Sequence, residues 1–371
     1  MANRGVNIDP NIFTIKDLQE AGSKKLPKPV REYYNEGSMD MITLRDNEAA
    51  YNRYKIRPRI LINVSKIDTS TTIFGTKVSF PLGFAPAAMH KAAHPEGELA
   101  TSRAAAKAGI CMGLSTYSTF SLEDVIAQGK GNPYMFQITL FRNREAVLQI
   151  LERVEAAGYK ALVLTVDAPI LGRRLNEYRN SFEPPEGTTF PNISLDHKAS
   201  FMNSSEQDLI NDDTADWESA ISWFRQRTKL PLWLKGINAV EDVVLAIRYG
   251  LDGIIISNHG GRQFDGVPAT LDTLRECAPV AAGHIPIAID GGIRRGSDIF
   301  KAIALGAQHC FVGRVPIWGL AYDGEKGVDL AINLLLNEFK LVMGLAGCRT
   351  VSEINRSHLS VLEPNGLLSK L

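Results

Sequence analysis

Short runs of apolar and β-branched residues recur along the chain from residue 81 onward, each followed by a segment with helical spacing. The first four are Pro81-Leu-Gly-Phe-Ala-Pro86, Ile110-Cys-Met-Gly-Leu-Ser115, Tyr134-Met-Phe-Gln-Ile-Thr139 and Lys160-Ala-Leu-Val-Leu-Thr-Val-Asp167. After a gap come Pro231-Leu-Trp-Leu-Lys235, Asp252-Gly-Ile-Ile-Ile-Ser257, Pro286-Ile-Ala-Ile-Asp290 and Gln308-His-Cys-Phe-Val-Gly313. Continuous rather than alternating apolar runs predict strands buried on both faces, as in a parallel sheet. Most of the starts lie about 21 to 34 residues apart, the length of one βα unit. The intervening helices carry matching end signals: Pro95 and acids open a segment that closes at Gly109, Glu241–Tyr249 closes at Gly250, and Ser297–Leu305 closes at Gly306.

Eight such units predict an α/β fold, a (β/α)8 TIM barrel. A doubly wound open sheet usually carries a G-x-G-x-x-G turn after its first strand, and none occurs here. The interval from Asp167 to Pro231 exceeds a normal unit by roughly forty residues. It is polar and turn-rich, as in Phe182-Glu-Pro-Pro-Glu-Gly187 and Phe201-Met-Asn-Ser-Ser-Glu-Gln-Asp208. A long loop after the fourth strand lies at the barrel mouth, where it would act as a lid or stay disordered. The chain is therefore expected to be one domain over 1–371, with an N-terminal helical extension over 1–75, the barrel over 76–360 and a tail over 361–371.

Composition adds mainly exclusions. Lys plus Arg equals Asp plus Glu at 41 each, so no net field gathers nucleic acid or an anionic membrane. Cys111, Cys277, Cys310 and Cys348 are far apart and predict reduced, buried thiols. No apolar run approaches the ~18 residues of a membrane span, and Met1–Val30 lacks a signal-peptide stretch, which predicts a soluble intracellular protein. Ser369-Lys370-Leu371 matches the peroxisomal address. The preceding Asn365-Gly366 turn is expected to leave that tail free for the import receptor.

In a TIM barrel the C-terminal strand ends face the active site. Here they form a polar set: Ser115, Gln137 with Thr139, Thr165 with Asp167, Lys235, Ser257 with Asn258 and His259, Asp290, then Gly313 with Arg314. Such ends point to a large polar ligand. After the seventh strand runs Asp290-Gly-Gly-Ile-Arg-Arg-Gly-Ser-Asp298, and after the eighth Gly313-Arg314. Glycines admit close backbone approach, helix N-termini favour anions and Arg binds them bidentately, so this end predicts a phosphate site. His259 and Arg262 offer a base and an anion clamp to one small acid. Asp167 is placed to accept the other ring N–H, and Arg173 or Arg174 to supply a second guanidinium. Lys235 alone is ambiguous between a Schiff-base amine, a fixed charge beside an anionic cofactor and a salt bridge to Asp167.

With these residues set out, Ser257-Asn-His-Gly-Gly-Arg-Gln-Phe-Asp265, Asp290-Gly-Gly-Ile-Arg-Arg-Gly296 and Trp233-Leu-Lys-Gly236 resemble the FMN-dependent α-hydroxy-acid oxidase family. The likeness runs from Lys25 to Ile354 and includes Arg57-Pro-Arg-Ile-Leu61, His94-Pro-Glu-Gly97 and Thr165-Val-Asp-Ala-Pro-Ile-Leu-Gly-Arg-Arg174. The resemblance implies oxidation of a (2S)-hydroxy acid to a 2-oxo acid, with O2 reduced to H2O2, in a homotetramer. It implies His259 as base, taking a proton from the hydroxyl or the α-carbon, oriented by Asp167. Arg262, Arg174 and Tyr33 would hold the substrate carboxylate, and Lys235 would face the flavin. Ser115, Gln137 and Thr165 would bind the isoalloxazine ring, the backbone around Ala88 would approach its N5, Asp290 would hold the ribityl chain, and Ser257 would also bind the cofactor. Gly292, Arg294, Gly313 and Arg314 would surround the phosphate; no metal is expected. Glycolate oxidase, a member, has Tyr where this chain has Thr139, Trp where it has Tyr117 and Thr where it has Ala87. Those departures point to an altered substrate pocket and leave open a bulkier hydroxy acid or a cyclic amine or imine carboxylate. A flavin-free Schiff-base lyase through Lys235 and a flavin-binding scaffold are the remaining alternatives.

Overall fold

The computed structural model describes residues 8–193, 211–363 and 365–371, so the 201–208 stretch of the long loop lies outside the described residues. Eight parallel strands close into a barrel: β1 Leu82–Phe84, β2 Cys111–Ser115, β3 Tyr134–Ile138, β4 Ala161–Thr165, β5 Leu232–Ile237, β6 Gly253–Ile256, β7 Ile287–Ile289 and β8 His309–Val312. Each pairs with its sequence neighbours, and β8 closes on β1 through Cys310 opposite Leu82. All eight predicted strands are present, and the (β/α)8 barrel is the observed fold.

The barrel interior explains the polar strand ends. Met135, Val163, Trp233, Ile255, Ala288 and Phe311 are buried in one inner cluster. Side chains alternate along a strand, so two residues on, at the C-terminal end, come Gln137, Thr165, Lys235, Ser257, Asp290 and Gly313. The odd-numbered face of β3, β4 and β5 is thus apolar below and polar at the mouth. The alternate residues, among them Phe136, Leu162 and Leu234, pack outward against the helices.

The 1–75 extension is more than helical. Helices Ile15–Lys25, Lys28–Asn35 and Ile42–Arg53 are followed by strand Tyr54–Ile56 and a hairpin, Thr71–Ile73 with Thr76–Val78. The predicted boundary at 75/76 therefore falls inside the hairpin. Its two turn residues, Phe74 and Gly75, both have positive φ (49° and 70°), the backbone twist that two-residue hairpin turns favour. Ile73 and Val78 join the inner barrel cluster, and Phe74 meets Trp233 edge-on at 5.1 Å. The hairpin plugs the barrel end opposite the polar rim.

The free tail is a correction. Leu368–Lys370 pairs antiparallel with Leu359–Leu362, which pairs with Tyr54–Ile56, giving a three-stranded sheet that joins both ends of the chain. The turn at Asn365-Gly366 (Gly366 φ 81°) reverses the chain and returns it to an edge whose N–H and C=O groups would otherwise be unpaired. The predicted boundary at 360/361 cuts the middle strand of that sheet. Cys111, Cys277, Cys310 and Cys348 are buried free thiols, and among the described residues no helix is long and apolar enough to cross a membrane.

Phe74→Ala should cost about 2 kcal/mol, a half-buried aromatic truncated at the plug. A lower midpoint of denaturant unfolding, with the same slope, checks this.

Candidate active site

At the polar end of the barrel lies a cavity of about 1080 Å3, at the top of the range for small-molecule sites. It is walled by the strand ends, by the second helix of the N-terminal extension and by residues 168–193 of the long loop. Of the residues predicted for the site, Tyr33, Ala88, Ser115, Tyr117, Gln137, Thr139, Thr165, Arg174, Lys235, His259, Arg262, Asp290, Gly292, Arg294, Gly313 and Arg314 all line it. Asp167 and Ser257 stand one hydrogen bond behind this surface.

Four strand ends build a buried charge network. Lys235 Nζ donates to Ser257 Oγ at 3.0 Å and pairs with Asp290 Oδ2 at 3.4 Å. Burial opposes the ammonium, but Asp290 and Asp167 more than offset it and hold its pKa above the ordinary lysine value. An amine whose charged form two carboxylates favour is poorly suited to the Schiff-base alternative, which needs a neutral nucleophile. Burial alone would raise the Asp167 pKa; His259 and Lys235 outweigh it and hold the carboxyl below its usual range. Asp167 Oδ1 lies 2.8 Å from His259 Nδ1, leaving Nε2 to act on a ligand. Gly236 makes this possible: its φ is 117°, and a Cβ there would lie 2.6 Å from Asp167 Cβ. His259 itself has φ 57°, an unusual conformation for a side chain of this kind and one that clusters at functional sites. Its N–H donates to Ser257 Oγ at 3.1 Å.

The residues predicted for an anion clamp meet on the loop side. Arg262 lies over the Tyr33 ring at 4.6 Å, and its Nη1 donates to the carbonyls of Tyr33 and Glu36. Burial, then the neighbouring Arg174, push its pKa down. Arg174 reaches the cavity, whereas Arg173 stacks on Tyr178 at 5.2 Å instead. Spacing alone left the two arginines equivalent; the family resemblance pointed to Arg174, and that is the one on the cavity.

At the β7–β8 end, Gly292 has φ 75° and approaches the N-terminal extension so closely that a Cβ would lie 1.9 Å from Asn47 O. Arg294 pairs with Glu48 at 2.8 Å and stacks on Trp318 at 4.8 Å. A helix starts at Arg314 directly after β8, with Gly313 as its cap. Arg314 donates to the carbonyls of Tyr34, Gly260 and Glu36. Burial, together with Arg262 and Arg294, pushes its pKa down to about 9. Clustered guanidiniums and a helix N-terminus make this end anion-seeking. The Asp290 Oδ1 and Arg294 Nε atoms are buried without a hydrogen-bond partner, as expected of groups that serve a polar ligand.

On β3, Gln137 Oε1 accepts from Thr116 N at 3.1 Å while Nε2 donates to Thr139 Oγ1 at 3.1 Å. Tyr117 packs edge-on to Phe141 and Phe190. Tyr34 Oη donates to Met89 O at 2.6 Å, fixing the turn that carries Ala88.

Sequence reasoning missed Glu177, Gln263, Asn47 and Phe182. Gln263 ties the loop root to the barrel: Nε2 donates to Asp167 O and Ile170 O, and Oε1 accepts from Gly172 N. Asn47 and Asn258 exchange amide hydrogen bonds at 2.8 Å. Gln263 and Asn258 belong to the strand-six motif, so that motif was the available signal. Glu177 and Phe182 had none, being ordinary residues of a long loop.

The FMN-dependent dehydrogenase family model matches residues 22–361. Oxidase FUB9 of Fusarium oxysporum f. sp. lycopersici is 53% identical, covering 98% of this chain and 95% of that protein. Glycolate oxidase 3 of Arabidopsis thaliana is 44% identical, covering 94% and 96%. A structure of a mandelate oxidase variant with (S)-mandelic acid superposes with TM-score 0.86 at 38% identity, covering 94% and 99%.

Both shifts in the charge network place its stability in the same window. The lowered Asp167 pKa contributes above the unfolded carboxyl value and is lost as pH falls through the folded one; the raised Lys235 pKa contributes below the unfolded lysine value and is lost as pH rises through the folded one. Lys235→Met should therefore cost roughly 3 kcal/mol at pH 7, because it leaves Asp290 buried and unpaired. The deficit should shrink at pH 5, because, without the ammonium, burial favours the protonated form of Asp167. Denaturant unfolding at the two pH values checks the sign.

Proposed function

The chain belongs to the FMN-dependent dehydrogenase family, within which its relatives mark it as an FMN-dependent hydroxy-acid oxidase, and we propose that it converts a (2S)-2-hydroxy acid and O2 to the 2-oxo acid and H2O2. The observation that carries this is the His259–Asp167 pair, 2.8 Å apart, on the same cavity as the two arginines of an anion clamp.

The residues present fit FMN. The partnerless Asp290 Oδ1 suits a ribityl hydroxyl, and the helix N-terminus after β8, with Arg294 and Gly292, suits the phosphate. Ser115, Gln137 and Thr165 supply polar groups for a ring system, and Lys235 supplies positive charge beside it. Bound FMN supplies the two-electron acceptor. The protein's own part is orientation and proton handling. Arg262 and Arg174 hold the substrate carboxylate, with Tyr33 stacked beneath Arg262. His259 Nε2 accepts the substrate proton. Asp167, kept ionised by Lys235, stabilises the resulting imidazolium.

A second reading concerns the substrate's size. Thr139 is small and tethered to Gln137, and the neighbouring wall holds Tyr117, Phe190, Ile170 and Leu171. That wall favours an apolar substituent larger than hydrogen or methyl at the 2-position. The greater likeness to a fungal oxidase than to the plant glycolate oxidases agrees with it, as does the (S)-mandelic acid held by the mandelate oxidase.

We also assign the protein to the peroxisome from Ser369-Lys370-Leu371. Since this segment is an edge strand, the import receptor would need to peel it from Leu359–Leu362.

His259→Ala should retain FMN yet slow anaerobic flavin bleaching by substrate by roughly 10²- to 10⁴-fold. Near wild-type bleaching removes the imidazole from the mechanism. In a panel of acids, (S)-mandelate should bleach the flavin faster than glycolate, and Thr139→Tyr should reverse that order; glycolate as the faster substrate of the unaltered protein counts against the bulky pocket. A fluorescent protein fused ahead of residue 1 should enter peroxisomes with Leu371 present and stay cytosolic without it. The same distribution for both chains excludes the address.

A further inference from the structure

The clamp already contains a carboxylate. Glu177 lies in the short loop helix Leu175–Arg179, and its Oε1 is 2.8 Å from Arg174 Nε and 3.6 Å from Arg262 Nη2. It also lines the cavity. The two guanidiniums assigned to the substrate's carboxylate are therefore paired with a carboxylate of the loop.

We propose that Glu177 is a gating residue that occupies the anion seat between Arg174 and Arg262, and that the substrate carboxylate must displace it to bind. This rests on the assignment of the two arginines to the substrate's carboxylate. Three observations carry it. Arg262 Nη1 is committed to the carbonyls of Tyr33 and Glu36, while Nη2 is the nitrogen directed at Glu177. Two carboxylates on the same pair of guanidiniums would repel at close range inside a half-buried pocket, where screening by water is weak. The loop helix is built to yield: none of its five residues is buried. It is anchored behind by the buried Phe182, which stacks on Tyr33 at 4.5 Å and donates its N–H to Glu177 O, and at its surface by Arg173 on Tyr178 and the Asn180 side chain on Glu32. The Glu177 side chain is itself outside the core, so turning it out of the seat leaves Phe182 packed.

The consequence is a specificity filter as well as a gate. A ligand gains the clamp only if its carboxylate binds the arginines better than Glu177 does, so neutral analogues such as amides and esters leave the loop latched. The gate also shortens product residence, because Glu177 competes for the seat that the 2-oxo acid vacates.

The test uses the FMN-loaded protein and two carboxylates of different size, pyruvate and benzoate, titrated while the flavin absorbance is followed. Glu177→Gln keeps the side-chain length and removes the charge, and it should tighten both ligands by roughly fivefold, in line with removing one competing charge at a partly exposed site. Arg262→Lys should weaken both. Limited trypsin digestion gives a second readout independent of turnover: pyruvate should speed cleavage after Arg179 in the unaltered protein, and Glu177→Gln should be cleaved faster without it. Binding that depends on Arg262 but is unchanged or weakened in Glu177→Gln overturns the gate alone. Failure of both carboxylates to bind the unaltered protein and the Glu177→Gln variant overturns the clamp assignment, and the gate with it.

Discussion

The chemistry at the barrel mouth depends on one buried ammonium. Lys235 sits at the end of β5 with Asp290 on one side and Asp167 on the other. Both carboxyls are enclosed, and an enclosed carboxylate with no counter-charge takes up a proton. His259 and Lys235 prevent that for Asp167, and the same ammonium pairs with Asp290. Asp167 can then accept from His259 Nδ1 as an anion, which fixes the ring and leaves Nε2 as the working nitrogen. Ser257 ties the ammonium to the backbone of His259 through one hydroxyl. His259, Asp167 and Asp290, the proposed base, orienting acid and ribityl ligand, are thereby a single electrostatic unit spread over four strand ends.

Around that unit the walls come from segments outside the barrel's repeat. The N-terminal extension contributes Tyr33, Tyr34 and the carbonyls that hold Arg262 and Arg314, and its hairpin fills the opposite end of the barrel. The strand-six motif serves both layers. His259 and Arg262 face the cavity, while Asn258, Gln263 and Asp265 fasten the extension and the loop root: Asp265 accepts from the backbone N–H groups of Asp40 and Thr43. The motif is long because it carries chemistry and joinery in the same nine residues.

The neutral composition conceals a strongly local field. Arg174, Arg262, Arg294 and Arg314 converge on one cavity, and Arg314 is pushed down to about 9 by burial and by its cationic neighbours. Glu48 and Glu177 offset part of this charge from the extension and the loop. The remainder is what an organic phosphate and a carboxylate would satisfy, one at each end of the cavity. Net charge averages over the whole surface and is blind to such clustering.

The barrel and most of its mouth were legible in the sequence because both follow from short-range rules. Apolar runs at βα spacing give the strands, and alternation along each strand makes the residue two past the last apolar inward position face the site, which is why Gln137, Thr165, Lys235 and Asp290 could be named in advance. Glycine-rich turns marked the end proposed for the phosphate for the same local reason. What the chain order left undetermined is everything set by contact between distant segments. The stacking of Arg173 on Tyr178, away from the cavity, depends on how the loop folds back on itself. The seating of Glu177 in the clamp depends on a loop of weak periodicity. The fate of the tail depends on an unpaired edge at Leu359–Leu362 that no local pattern announces, so an expected free end becomes a third strand. Local periodicity fixes which way a side chain points from its own strand; only the closed packing of the whole chain decides which charge it meets there.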